Sequence, residues 1–127
     1  MNKYILAALM LIIGATAATA KDAKKKEVII FSQPCYYCEK MKEYVEPNII
    51  PEYPNVEFKV LDIREDANRK LLLKYVKAYN IAGNEVGLPL IFVGGNYIMG
   101  WTDEYGNDLR KYIDEYIAEK ITRAEIK

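Results

Sequence analysis

The chain reads as an α/β protein with the element order β-α-β-α-β-β-α, a mixed central sheet flanked by helices. Three observations predict this. Short runs of apolar, often β-branched residues alternate with stretches whose apolar residues recur at helical spacing. The first two runs are joined by a helix, which makes them parallel with a right-handed crossover. The last two are separated by Gly94-Gly95-Asn96, the turn chemistry of an antiparallel hairpin.

Residues 27–32 (Glu-Val-Ile-Ile-Phe-Ser) contain an unbroken apolar run, as a strand buried on both faces requires. Ser32-Gln33-Pro34 breaks it. From Tyr37 on, Cys38, Met41, Val45 and Ile49 form a helical stripe that Tyr44 widens, and Pro47 should kink or end that helix. Pro51 and Pro54 mark a loop. Val56, Phe58 and Val60 alternate with Glu57 and Lys59 in a second strand ending near Asp62. Asp66 is the candidate cap of a second helix, whose stripe is Leu72, Tyr75, Val76 and Tyr79. Residues 80–87 read as a loop. Leu90-Ile91-Phe92-Val93 is the third strand, and residues 97–100 return as its hairpin partner. Leu109, Tyr112, Ile113, Tyr116 and Ile117 mark a C-terminal amphipathic helix. Lys120 and Arg123 fall late in it, where the helix dipole favours cations.

The 127 residues suffice for one compact domain and are too few for two. Eighteen basic residues balance eighteen acidic ones, so there is no electrostatic footprint for nucleic acid. Histidine is absent, which removes the commonest general base and metal ligand. Chemistry falls to carboxylate, thiol, tyrosine, lysine or backbone groups. Most of the eleven tyrosines are expected at the core edge, ring buried and hydroxyl wet.

Residues 1–20 have a basic start at Lys3, an apolar stretch, and the small-residue tail Ala18-Thr19-Ala20. This is the pattern of a secretory signal peptide. The competing reading is a retained anchor, but the uncharged run 4–20 is only 17 residues, at the lower limit for a span. Cleavage would leave a charged lead-in at 21–26 and a domain at 27–127. The expectation is an exported protein without stable membrane insertion, in the periplasm first, with secretion or a secretory-pathway lumen as the other locations. Both cysteines lie in the mature part, in a compartment where disulfides persist.

Pro34-Cys35-Tyr36-Tyr37-Cys38 lies between the first strand and the first helix. Disulfide exchange needs a thiolate, and a helix start offers unpaired N–H groups and a positive dipole end to stabilise one. Cys35 is therefore the candidate nucleophile. Cys38, one turn on, is the candidate resolving thiol that releases a mixed disulfide. Other readings of the pair are a structural disulfide, which would gain little from so small a loop, and a carrier of copper(I) on two thiolates. A redox-inactive binding domain is a third. A closed zinc site wants about four ligands, more than two thiols without histidine supply. The second signal is Gly87-Leu88-Pro89 before the third strand. It reads either as an ordinary loop proline or as a deliberate bend with a cis Leu88–Pro89 bond.

Together these signals resemble the thioredoxin superfamily, above all its glutaredoxin-like and exported thioredoxin-like branches. The resemblance covers roughly residues 27–117. It is carried by Pro34-Cys35-Tyr36-Tyr37-Cys38, by Gly87-Leu88-Pro89-Leu90-Ile91-Phe92-Val93, and by Gly94-Gly95-Asn96-Tyr97-Ile98-Met99-Gly100 with Asp103 following. It implies a thioredoxin-like fold and thiol–disulfide oxidoreductase activity on protein or peptide thiols and disulfides, with a redox partner protein and no bound cofactor or metal. It implies that Cys35 attacks and Cys38 resolves. Leu88 and Pro89 take the roles of the substrate-binding cis-proline loop. Tyr36, Leu88, Ile98 and Trp101 are candidates for an apolar docking surface, each with a core reading beside it. The region near Asp103 resembles the place where glutaredoxins hold glutathione. However, Phe31-Ser32-Gln33-Pro34 lacks the basic residue that meets the glutathione carboxylate, which argues against that substrate.

Overall fold

The computed structural model describes residues 25–126, with side chains as far as residue 119. The expected signal peptide at 1–20 and the lead-in up to residue 24 lie outside the described residues, as do the side chains of Lys120 and Arg123. The elements are β1 (Lys26–Ser32), α1 (Tyr36–Asn48), β2 (Val56–Asp62), α2 (Asp66–Ala78), β3 (Leu90–Val93), β4 (Asn96–Met99) and α3 (Tyr105–Ile126). Short 3-10 turns occupy Ile50–Glu52 and Gly83–Glu85. The sheet runs β2-β1-β3-β4; β1 and β2 are parallel, and the other two pairings are antiparallel. This is the predicted α/β architecture, a thioredoxin-like fold. Among the described residues no helix is long and apolar enough to cross a membrane.

Strand β1 is central because both of its faces are apolar. Val28 and Ile30 point into a cluster with Met41 and Val45 of α1, Ile49 at its C-terminal cap, and Leu109 and Ile113 of α3. Ile29 and Phe31 point the other way, onto Leu72 and Val76 of α2. Each such side chain gains about 1.5–3 kcal/mol on full burial. An edge position would forfeit part of that. The layers are therefore α1 and α3 on one face of the sheet and α2 on the other. Helix α3 is also fastened across α1: the Arg110 side chain donates to Glu52 Oε1 at 2.7 Å and to the Tyr44 hydroxyl at 3.2 Å.

Several boundaries differ from the sequence-based expectation. Asp66 is not the cap of α2: Glu65 holds the cap position without a side-chain cap bond, and Asp66 is the first helical residue, paired with Arg69. A first-turn acid still faces the positive helix end, so the preference is served one residue later. Pro47 lies inside α1, which runs on only to Asn48. Val60 is 42% exposed rather than buried, because β2 is an edge strand. Strand β4 starts at Asn96, leaving Gly94-Gly95 as the whole turn. Helix α2 stops through Asn80, whose φ of 57° lets the N–H groups of Asn80 and Ile81 bond the carbonyls of Lys77 and Val76.

The tyrosines follow the expectation in seven cases: Tyr44, Tyr53, Tyr75, Tyr79, Tyr105, Tyr112 and Tyr116 are half-buried against the two clusters. Tyr79 also donates its hydroxyl to the Gly94 carbonyl, tying α2 to the hairpin. Tyr36, Tyr37 and Tyr97 are exposed.

The two turn glycines should differ in their tolerance of alanine. Gly94 has φ +58°, and a Cβ there would sit 2.9 Å from the Tyr116 ring, whereas Gly95 meets nothing within 4 Å. Gly94→Ala is expected to cost about 1–3 kcal/mol, and Gly95→Ala to stay within about 0.5 kcal/mol. Urea unfolding midpoints of the two variants check this.

Candidate active site

Strand β1 ends at Ser32, and three residues later Cys35 becomes the N-cap of α1, with extended backbone (φ −160°, ψ 160°). The first N–H groups of a helix lack internal partners. Here one of them finds a sulfur: the Cys38 N–H donates to Cys35 Sγ at 3.1 Å. The Cys35 carbonyl accepts the first helical bond, from Glu39 N at 3.0 Å. Cys35 thus takes the place that serine or aspartate fills in ordinary caps. The positive end of the helix points at the atom that carries charge when a thiol attacks.

The two thiols sit in unlike surroundings. Cys35 is half-buried and Cys38 is fully buried; both are free cysteines. Burial pushes the Cys38 thiol up from 9.0 to about 11, helped by its hydrogen bond with the Cys35 thiol. A backbone hydrogen bond with Gln33 and the charge of Lys42 act in the opposite direction without reversing it. Cys38 therefore stays protonated near neutral pH, and Cys35 is the sulfur an outside molecule can reach.

The register brings the second signal alongside the first. Phe31 pairs with Leu90 in the antiparallel β1–β3 ladder, so Pro89 falls opposite Ser32 at the end of the sheet that leads into Cys35. The Leu88–Pro89 peptide is cis. Pro89 is buried and Leu88 half-buried, and the Pro89 carbonyl accepts from Gly100 N at 2.8 Å.

Other candidates separate clearly. Tyr36 is 67% exposed beside Cys35. Ile98 and Trp101 are core residues instead, 7% and 4% exposed. Trp101 packs on Tyr44 and Tyr105 and donates its Nε1–H to Asp103 Oδ1 at 3.2 Å. Asp103 lines an open polar cleft of about 290 Å³ with Lys40, Glu43, Tyr44 and Asn48. Glu39 is exposed. Two contributors were missed in the sequence. Lys42 had a signal, since it lies four residues after Cys38 on one helix face. The Gln33 backbone had none. Among the described residues no group of three or more Cys, Asp or Glu side chains is arranged to hold a metal ion.

No family model and no curated protein matches this chain. Among solved structures, one described as "Structural basis of the thiol resolving mechanism in yeast mitochondrial 1-Cys peroxiredoxin via glutathione/thioredoxin systems" is similar at 20% sequence identity and a TM-score of 0.47, covering 80% of this chain and 88% of that one.

Two outcomes follow from the unlike thiols. Brief alkylation of the reduced protein near neutral pH should label Cys35 at least about tenfold faster than Cys38, read by peptide mass spectrometry. Stability should also carry a pH signature. An unfolded Cys38 ionises near pH 9 and the folded one near 11. The stabilisation from keeping this thiol neutral is therefore complete below pH 9 and is lost as pH rises to 11. Unfolding midpoints of the reduced protein should fall more steeply across that window than those of Cys38→Ala.

Proposed function

We propose that this chain is an exported thiol–disulfide oxidoreductase acting on protein or peptide disulfides. The observation that carries the reading is the asymmetric pair itself: a reachable sulfur capping a helix, with a buried, protonated thiol one turn behind it. That asymmetry divides the labour of exchange.

In the reducing direction, the Cys35 thiolate attacks one sulfur of a substrate disulfide. The substrate S–S bond breaks, a Cys35–substrate disulfide forms, and the displaced substrate sulfur leaves as a thiolate that takes a proton from solvent. Cys38 then gives up its proton and attacks Cys35 Sγ. The mixed disulfide breaks, the Cys35–Cys38 disulfide forms, and the second substrate thiol departs. Two electrons have passed to the substrate, and a partner dithiol restores the pair. The same steps run backwards when the pair's potential exceeds that of its client.

The high pKa of Cys38 supports this order, because a resolving thiol that stays protonated does not compete for the first attack. It also weighs against a copper(I) carrier, which needs both sulfurs as thiolates. Export rests on the leader pattern at 1–20. The partner is a thiol protein of the same compartment.

The test is trapping. Cys38→Ala should accumulate covalent adducts with client proteins that dithiothreitol releases, and Cys35→Ala should form none and lose disulfide reduction. Absence of adducts in Cys38→Ala alongside full turnover in the unsubstituted protein would sink the mechanism. N-terminal sequencing of the exported product should begin near Lys21.

A further inference from the structure

We propose that Tyr36 and Tyr37 form an aromatic corner that selects disulfides whose cysteine is flanked by an aromatic residue in a peptide chain. The inference rests on the oxidoreductase reading and names what that site prefers.

The fold does not call for these two rings. They occupy the first two positions of α1, where tyrosine is a weaker helix former than alanine, glutamate or lysine. Neither belongs to either core cluster, unlike seven other tyrosines. They remain 67% and 55% exposed, the largest exposed apolar surface next to the reachable sulfur. Each leaves most of its apolar surface in water, packed only on the other ring and, for Tyr36, under Lys40 rather than on the core.

Their geometry has a definite shape. The ring centroids are 5.2 Å apart and the planes meet at 84°. Two perpendicular rings make a corner that a third ring can complete, lying against one face and meeting the other ring at an edge, the arrangement aromatic groups prefer. Lys40 Nζ lies 5.5 Å over the Tyr36 ring, on the side leading along α1 to the polar cleft with Glu43 and Asp103. That polar flank leaves the apolar corner confined to the residues between the cysteines. A flanking residue in a bound client is held within one or two residues of its cysteine, so with its sulfur at Cys35 it comes within reach of the two exposed rings that follow Cys35 in the chain. Tyrosine also gives large contact area at low ordering cost, having few rotatable bonds. A small thiol without an apolar side chain gains nothing from it.

The experiment uses the full chain with dithiothreitol as electron donor and three substrates. Two are disulfide-linked peptides identical but for Phe or Ser beside the cysteine; the third is hydroxyethyl disulfide. The quantity read is the ratio of kcat/KM for the Phe peptide over the Ser peptide, in which any change in the pair's own reactivity cancels. The protein should show a ratio of about five, the scale of one aromatic contact. Tyr36→Ser/Tyr37→Ser should bring it to about one, and Tyr36→Phe/Tyr37→Phe should keep it. A ratio of one in the unsubstituted protein, or a ratio that survives the double Ser variant, overturns the corner while leaving the oxidoreductase reading intact. No reaction with any of the three disulfides overturns both.

Discussion

The burial of β1 on both faces is the constraint from which the rest descends. Val28 and Ile30 need one apolar layer and Ile29 and Phe31 another, so helices must cover both sides of the sheet. A strand so placed has to be internal, with β2 on one flank and β3 on the other. The chain leaves β1 at its carboxyl end, where Ser32 is buried, and the short Gln33-Pro34 link delivers Cys35 to the start of α1. Because β3 runs antiparallel, its own first residues arrive at that same end, with Pro89 opposite Ser32. The juxtaposition of cysteine pair and proline is thus a consequence of how one strand is buried.

At the pair, one hydrogen bond serves folding and chemistry together. Sulfur is a weaker acceptor than a serine or aspartate oxygen, so Cys35 caps α1 less well than those residues would. What the helix forgoes in capping it returns by aiming its positive end at a reactive atom. The burial of Cys38 comes from an ordinary source, its place on the same stripe as Met41 and Val45. The packing face of the helix therefore sets the protonation of the second thiol.

What could be read in the sequence depended on how local each cause is. Strand β3 was legible to the residue, since four apolar residues stand between a proline and a glycine turn. The cysteine pair was legible because strand, break and helix start fall within one short stretch. The edge position of β2 was not. Val56, Phe58 and Val60 alternate as a half-buried strand would, but strand order is a long-range matter, and Val60 ends at the uncovered end of the sheet edge. The start of α2 was missed by one residue, since Glu65 and Asp66 are both acids and only the backbone distinguishes cap from first turn. Trp101 was undecided between core and docking surface because its neighbours are polar or glycine. Its burial comes from Tyr44, far away in sequence. Tyr36 was legible as a docking-surface candidate from its place beside Cys35, whereas the exposure of Tyr37 and Tyr97 ran against the expectation that most tyrosines sit at the core edge.

The placement of Trp101 gives the molecule an optical property of its own. It is the single tryptophan of the chain, 4% exposed, with its ring 5.8 Å from Tyr44 on α1 and 6.4 Å from Tyr105 on α3. Excitation of the surrounding phenols drains into this one indole, whose emission reports whether water has reached the layer between the two helices. Since Cys35 caps α1 and Cys38 lies in its first turn, the indole packs on the helix that carries the thiols. The protein therefore holds an internal fluorophore in the core layer between α1 and α3, and its folding can be followed there without a label.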